Sequence, residues 1–360
     1  MKLSNAEQLR GPVTPVDNVV TIVDKFDIFI LAAGFEDRAV KIIAEGKFHS
    51  KAHCILIRYV NNVPNNRTIY RQFLEFAQRK FTGYRTHPVP LRNTDADAFM
   101  RDLSAKLAAL PRSARSIAID VSGMPSFLVC SVLKVARDHR PREVQTVLYT
   151  SADQYVPTFA EYEQLIAENV DEIELLPNSM ALEMAENLTI EAFSGHRGCS
   201  KSCLAVLAGY EAHRTAGVVD DINPALLLLL FGNPGDPRHG WRLDLSRRLH
   251  RKYERGRRAA TEVASTLEAA ETLTILEEYY NYLIDDYDMF IAPIGSKMQS
   301  VAAYLFWERY GEVHLTFPLP IGYNPDHRPI GASLTYRLDL EPKRSLYRSP
   351  ETEREEQASF

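Results

Sequence analysis

The stretch FDIFILAAGFEDRAVKIIA, residues 26–44, predicts the class of the fold. It opens with an apolar run over 26–32, Gly34 interrupts the run, and a helical pattern begins at Asp37. The same order continues with an apolar strand over 53–60 and a helical face between residues 70 and 77. A strand that passes through a turn into a helix is the repeating unit of an α/β protein.

This unit recurs through the rest of the first half. Further strands are expected over 87–91, 116–121 and 144–149, and further helices over 95–110 and 125–138. Each strand is apolar nearly throughout, which is typical of parallel strands covered by helices on both faces. The first half is therefore expected to form an open, mostly parallel sheet.

The second half repeats the pattern after an interruption. Its expected strands are 188–193, 225–231, 261–265, 288–292 and 313–319, and its expected helices are 199–213, 239–255, 268–285 and 297–310. Gly123 and Gly295 both follow the fourth strand of their half and lie 172 residues apart, whereas Gly34 and Gly195 lie 161 apart. We expect an α/β fold of two tandem Rossmann-like units with mostly parallel sheets, pseudo-duplicated. Two unrelated α/β domains are the alternative.

The length of 360 residues favours two domains. An entry segment is expected over 1–24 and the first Rossmann-like domain over 25–150. An acidic, helical connector over 151–186 then leads to the second domain over 187–340. The last twenty residues, 341–360, are rich in charge and are expected to form a solvated tail.

Composition excludes several classes of protein. The formal charge is −5, from 42 basic and 47 acidic residues, so nothing indicates a globally basic nucleic-acid-binding protein. The longest apolar runs, such as the seven residues 225–231, are far below the roughly 20 residues of a membrane span, and the first residues lack the apolar core of a secretory signal. A cytoplasmic protein with reduced cysteines and no membrane partner is expected. Phosphate-loop, GxGxxG, HExxH and GxSxG motifs are absent.

Candidate binding residues lie in the turns, because the ligand crevice of a parallel sheet opens at the carboxyl ends of its strands. A turn that leads into a helix also presents free N–H groups and the positive end of the helix dipole to an anion. In the first turn, after Gly34, Phe35 is suited to stack on a base and Arg38 to meet a phosphate. The alternative is that Glu36 or Asp37 caps the helix and Arg38 pairs with an acid at the surface.

Three other turns offer comparable residues. The expected counterpart of the first turn, 194–200, contains Gly195, His196 and Arg197. The turns after the fourth strands contain Ser122 and Gly123 in the first half and Gly295, Ser296 and Lys297 in the second.

Lys297 stands out because a positive charge at the start of a helix opposes the helix dipole. An anionic ligand would account for it, and a salt bridge to the acids within 262–288 is the alternative. No metal is expected: His196, Cys199 and Cys203 have helical spacing, but a fourth ligand is not evident.

The sequence Gly295-Ser296-Lys297-Met298, after an apolar strand, resembles the glycine–threonine–lysine turn of CARF domains, Rossmann-like sensors of cyclic oligonucleotides in prokaryotic immunity. Residues 120–124 resemble a degenerate copy, with Met124 where a lysine would be expected. Two such units in one chain are similar to the SAVED domain, a pair of fused CARF domains. The resemblance implies that both crevices face one composite pocket for a nucleotide signal. Since the sequence shows no nuclease constellation, we expect the effector of such a sensor to be a separate protein, and we expect no cofactor.

Two other functions stay open. One is a ring-opening phosphodiesterase or a nucleoside or nucleotide hydrolase, with Glu36, Asp37 or His196 as acid or base. Glu36 and Asp120 would form the carboxylate pair if they lay within about 5 to 10 Å. The other is a scaffold that binds partner proteins through its charged tail and the basic run RRLHRKYERGRR, residues 247–258. That run could also contact nucleic acid or pair with the acidic helix that follows it.

Overall fold

The structure is a computed structural model of the chain. It describes residues 8–60, 66–81, 85–92, 95–167, 184–195, 197–254, 258–320, 322, 324 and 327–343.

The first half alternates strands and helices after a short N-terminal segment. Its strands are β1 (Thr14–Pro15), β2 (Ile28–Ala32), β3 (His53–Tyr59), β4 (Thr86–Leu91), β5 (Ile117–Asp120) and β6 (Gln145–Thr150). Its helices are α1 (Val19–Ile22), α2 (Lys41–Glu45), α3 (Asn66–Lys80), α4 (Ala96–Ala109), α5 (Ser126–His139) and α6 (Phe159–Ala167), with 3-10 turns at Val23–Lys25 and Asp37–Val40. Strands β2 and β5 are buried at every position, as expected of central parallel strands.

The second half has the same alternation. Its strands are β7 (Met184–Ser194), β8 (Lys201–Ala208), β9 (Leu226–Asn233), β10 (Ala259–Ser265), β11 (Tyr287–Pro293), β12 (His314–Pro320) and β13 (Thr335–Leu340). Its helices are α7 (Ala212–Ile222), α8 (Trp241–Glu254), α9 (Ala269–Leu283) and α10 (Lys297–Arg309), with a 3-10 turn at Pro237–His239.

One element differs in type from the prediction. The expected helix over 199–213 is strand β8 followed by α7. Residues 203–208 are a continuous apolar run, and such a run has the same pattern in a buried strand as in a buried helix. Strand β8 lies between β9 and β11, so it is a central strand of the second sheet and corresponds to β2 of the first.

The two sheets share one strand order. In the first, β4, β3, β2, β5 and β6 lie side by side and parallel; in the second, β10, β9, β8, β11 and β12 do the same. Each sheet then adds an antiparallel strand beside the fifth, β13 in the first and β7 in the second. The predicted α/β fold of two tandem Rossmann-like units is confirmed. The first unit is the part of the chain built on the first sheet, and the second unit is the part built on the second sheet.

The chain ends are joined to the first sheet. Strand β13 pairs with β6, and β1 pairs with β13. Residues 335–340, expected in the second unit, therefore belong to the first sheet, and part of the expected entry segment pairs with them. Of the expected tail, residues 341–343 follow β13 directly, and 344–360 lie outside the described residues.

The units meet through their fourth helices, α5 and α10, which pack against each other. The Ser126 and Ser300 hydroxyl oxygens lie 3.0 Å apart where these helices begin. Because each helix starts after the fourth strand of its own sheet, this packing brings the carboxyl ends of both sheets to one side of the molecule.

All four cysteines are free, and Cys54, Cys130 and Cys203 are buried. Within the described residues, no helix is long and apolar enough to cross a bilayer, and no cluster of three potential metal ligands is found.

Candidate functional site

A cavity of about 1140 Å³ opens where the two units meet. It lies at the carboxyl ends of β2 and β5 in the first unit and of β8 and β11 in the second, which is the point in each sheet where the strand order reverses. Seven of the residues predicted from the sequence line it: Gly34, Phe35, Arg38, Gly123, Gly295, Ser296 and Lys297. Glu36, named as a possible acid or base, lines it as well.

The turn after β2 crosses the turn after β5 at two glycines. A Cβ added to Gly34 would lie 2.8 Å from the carbonyl oxygen of Gly123, so neither turn has room for a side chain there. The second unit repeats this crossing with Gly209 and Gly295, where a Cβ on Gly209 would lie 3.1 Å from the carbonyl oxygen of Ile294. The counterpart of Gly34 is therefore Gly209, and the prediction that Gly195 fills this role is wrong.

A repeated sequence contains Gly34 and Gly209, and it was not recognised from the sequence. Residues 33–38 read AGFEDR and residues 208–214 read AGYEAHR. In each unit the glutamate forms an ion pair with the arginine of the same turn. The distances are 2.5 Å between Glu36 and Arg38 and 2.7 Å between Glu211 and Arg214. A search for the string Ala-Gly-aromatic-Glu would have aligned the two halves at these positions.

Arg38 is a buried wall residue of the cavity. Its guanidinium binds Glu36 and donates to the hydroxyls of Tyr149 and Tyr155 at 2.9 and 3.3 Å. Burial by itself would lower the pKa of this arginine, but the Glu36 carboxylate raises it above the ordinary value. The alternative prediction is correct in that Arg38 pairs with an acid, Glu36. The pair is buried, however, and does not lie on the surface.

Lys297 is the first residue of α10 and faces the cavity. The helix start is held by Ser296, whose hydroxyl accepts from the Gln299 N–H at 3.1 Å, and by Gln299, whose side-chain oxygen accepts from the Ser296 N–H at 2.9 Å. Among the described residues Lys297 has neither a hydrogen bond nor an ion pair, so the salt bridge considered from the sequence is not formed there. Desolvation by the cavity walls lowers its pKa to about 8, which leaves the amine mostly protonated at neutral pH.

The charges around the cavity leave an excess of positive charge. Five arginine and lysine side chains line the cavity with four acids, three of which form the pairs Glu36–Arg38, Glu211–Arg214 and Asp236–Arg238. The fourth acid, Asp153, accepts from the Ala332 N–H at 3.0 Å. Arg242, on α8, donates instead to the carbonyl oxygens of Tyr155 and Pro157, both at 3.0 Å. Its charge and that of Lys297 are thus not matched by these pairs, which makes the cavity suited to an anion.

Ser122 and Asp120 lie behind the cavity wall. The Ser122 hydroxyl donates to Asp120 at 2.5 Å and accepts from the Thr150 N–H at 2.8 Å, so it joins strands β5 and β6. Burial raises the pKa of Asp120 to about 7. Neither residue lines the cavity, and Asp120 does not form an exposed carboxylate pair with Glu36.

Asp37 is directed away from the cavity. One carboxylate oxygen lies 3.4 Å from the Arg328 guanidinium, and the other accepts from the Gly331 N–H at 3.2 Å. It thereby holds the segment 327–334, which connects the second unit back to β13 and covers one side of the cavity through His327, Pro329, Ser333 and Leu334.

The predicted turn at 194–200 is not part of the site. It connects β7 to β8 at the end of the second sheet where the strands begin, and the backbone N–H of Arg197 donates to Asp288 at 3.0 Å. Gly195 and Arg197 do not line the cavity, and His196 lies outside the described residues. The error arose because β8 was read as the helix that should follow this turn. Cys203 is buried within β8, which excludes the helical spacing of the metal alternative.

The basic run 247–258 lies mostly on α8, and residues 255–257 are outside the described part. Within α8, Arg248 pairs with Asp244 at 2.7 Å. Contact between this run and nucleic acid stays a prediction.

The solved structures that match the chain include the following two, both of low similarity. A type III CRISPR defence DNA nuclease activated by cyclic oligoadenylate matches with 10% identity and a TM-score of 0.43, over 78% of this chain and 63% of the nuclease. A protein described as a universal stress protein from Pseudomonas aeruginosa UCBPP-PA14 matches with 10% identity and a TM-score of 0.24, over 83% of this chain and 95% of that one.

No family model and no curated protein matches the chain. At 10% identity and a TM-score of 0.43, the nuclease match carries no conclusion about this chain beyond a low similarity of structure. It does not identify a CARF or SAVED domain, and the chain spans less than two thirds of the nuclease. Neither match assigns a ligand or an activity to this chain.

Proposed function

We propose that this protein is a cytoplasmic sensor in antiviral defence that binds an anionic, nucleotide-type ligand between its two Rossmann-like units and signals to a separate effector protein. A cyclic oligonucleotide is the ligand class that we favour. The observation that carries the proposal is Lys297, a cation without an ion-pair partner among the described residues, at the start of a helix in a cavity lined by both units.

The shape of the cavity supports a ligand larger than a single phosphate. Its volume of about 1140 Å³ exceeds that of most sites for small metabolites, which are roughly 300 to 1,000 Å³. Phe35 and Tyr210 occupy corresponding positions in the two units and supply aromatic faces on which bases can stack.

Binding is favoured over hydrolysis by the state of the acids. Glu36 is paired with Arg38, and Asp37 is paired with Arg328. Glu36 is thus engaged by Arg38, and Asp37 does not line the cavity, so neither carboxylate is free to act on a bond of the ligand. The enzyme alternative predicts turnover of the ligand, which chromatography of the ligand after incubation with the protein would detect.

The experiment is a binding screen by calorimetry and thermal shift. The panel contains cyclic di-adenylate, cyclic di-guanylate, the cyclic tri-, tetra- and hexa-adenylates, and ATP as a linear nucleotide, each at about 100 µM, which saturates a site of micromolar Kd. We expect at least one cyclic member to bind and Lys297→Ala to weaken it by about 10- to 100-fold, the effect of one charge-assisted hydrogen bond.

The matched control is Lys106→Ala, which removes a lysine from an exposed position of α4 outside the cavity and should leave the affinity unchanged. The proposal is overturned if no member of the panel binds, or if Lys297→Ala binds as tightly as the wild-type protein.

A further inference from the structure

The two units differ at one position of the cavity wall. Strand β3 pairs with β2 in the first sheet, and strand β9 pairs with β8 in the second. When these two pairs are aligned, Gly232 on β9 takes the position that Tyr59 has on β3. The third residue of α10 is Gln299, and the third residue of its counterpart α5 is Leu128. Tyr59 fills its position and donates from its hydroxyl to the carbonyl oxygen of Gly123 at 2.8 Å. Gly232 has no side chain, and the Thr266 methyl group lies within 2.6 Å of the position of its missing Cβ, so the part of the cavity beside Gly232, here called the niche, is bordered by small groups in place of a tyrosine ring.

The niche of the second unit is bordered by the side-chain amide of Gln299. A Cβ added to Gly232 would lie 3.9 Å from the Gln299 Nε2, and Gly232, Thr266, Leu267 and Gln299 all line the cavity. The side chain folds back over Gly295, whose missing Cβ gives it room. The niche therefore has one polar wall and otherwise small or apolar walls.

The Gln299 amide has a donor that the fold does not use. Its oxygen accepts from the Ser296 N–H, and this bond fixes which end of the amide is nitrogen. The side chain is 1% exposed, and its Nε2 has no hydrogen-bond partner among the described residues. Because buried donors are almost always bonded, an acceptor atom of a ligand would satisfy this one.

We propose that this niche is a nucleobase subsite found in the second unit alone, in which Gln299 Nε2 donates to an acceptor atom of one base of the ligand. The inference rests on the proposed function and deepens it. Because the first unit has Tyr59 and Leu128 at these positions, the two units contact the ligand differently, and only a base held by the second unit receives a hydrogen bond from Gln299.

The first test changes the donor and keeps the fold. Gln299→Glu retains the side-chain oxygen that accepts from the Ser296 N–H, since glutamate serves as well as glutamine in this type of helix cap. It removes the N–H donor and places a carboxylate in the niche. We expect the cyclic nucleotide that binds best in the panel above to lose at least about fivefold in affinity, with the unfolding temperature close to that of the wild type.

The second test fills the niche. Gly232→Ala alone would bring its Cβ to 2.6 Å from the Thr266 methyl group, so it is combined with Thr266→Ser, which removes that methyl group. The affinity of the double variant is compared with that of Thr266→Ser alone. A base in the niche predicts that the added methyl group weakens binding at least about fivefold.

The outcomes separate this subsite from the function as a whole. If the wild type binds and Lys297→Ala weakens binding while Gln299→Glu and the double variant bind normally, the subsite is wrong and the sensor function stands. If the wild type binds no member of the panel, the sensor function fails and the subsite fails with it. Loss of affinity in both variants, with folding intact, supports the subsite.

Discussion

Arg137 on α5 and Glu308 on α10 form a buried ion pair across the interface between the two units. The Arg137 Nε lies 2.8 Å from both carboxylate oxygens, and both side chains are almost completely excluded from solvent. Tyr304 also donates to Glu308 at 2.9 Å. Because the same helices begin at the cavity, this pair fixes the geometry from which the site is built.

Breaking this ion pair should destabilise the protein strongly. We expect Arg137→Met to lower the free energy of unfolding by about 3–5 kcal/mol, since it removes the buried counter-charge of Glu308 and leaves only the Lys343 Nζ, 3.8 Å away, as a cation beside this carboxylate. The double variant Arg137→Met, Glu308→Gln removes both charges and keeps an acceptor for Tyr304, so it should recover a large part of the loss. Urea denaturation measures both. Equal destabilisation of the single and double variants would contradict this account.

The glycine crossing of the first unit should tolerate no side chain. Gly34→Ala brings a Cβ to 2.8 Å from a backbone oxygen, and the backbone has to move to relieve the contact. We expect a loss of about 1–3 kcal/mol in the free energy of unfolding. Gly311→Ala is the matched control, because nothing lies within 4 Å of its added Cβ, and it should change stability by less than about 0.5 kcal/mol. Comparable losses in both variants would argue against the crossing.

Ligand affinity should fall as the pH rises through the pKa of Lys297. With a pKa of about 8, the ammonium is mostly present at pH 7 and mostly absent at pH 9. An anion that binds only the protonated form should lose about tenfold in affinity between these values. Lys297→Arg stays charged throughout and should lose less. Calorimetry of both proteins at pH 7, 8 and 9 measures this, and parallel profiles would exclude Lys297 as the titrating group.

Asp120 should make stability depend on pH in the opposite sense to a salt-bridged carboxylate. Burial raises its pKa from 3.8 to about 7, so the folded state holds its proton to higher pH than the unfolded state. Its contribution is present below pH 4 and is lost as the pH rises through 7. Relative to Asp120→Asn, the wild type should lose on the order of 2 kcal/mol between pH 5 and 8. A constant difference across this range, measured by urea denaturation, would show that Asp120 does not titrate there.

Local sequence pattern predicted most of the elements and three of the four turns that line the cavity at the strand ends. Apolar runs bounded by glycine turns located β2, β5 and β11, because a central parallel strand is buried on both faces and shows this in its composition. The turns after these strands supplied Gly34, Gly123 and Lys297, since strand ends at the switch point are where a parallel sheet binds ligands. The same rule failed at β8, where an apolar run was read as a helix and displaced the second turn to Gly195.

Tertiary structure alone decided how the halves combine. The sequence of 335–340 shows a strand pattern but not its partner, and β13 returns to the first sheet across 185 residues from Thr150 to Thr335. The Arg137–Glu308 pair, the tyrosines around Arg38 and the niche beside Gln299 arise from residues far apart in the chain. The periodicity of apolar residues shows which face of a helix or strand is buried. It does not show which other element covers that face, because this depends on packing between residues far apart in the chain.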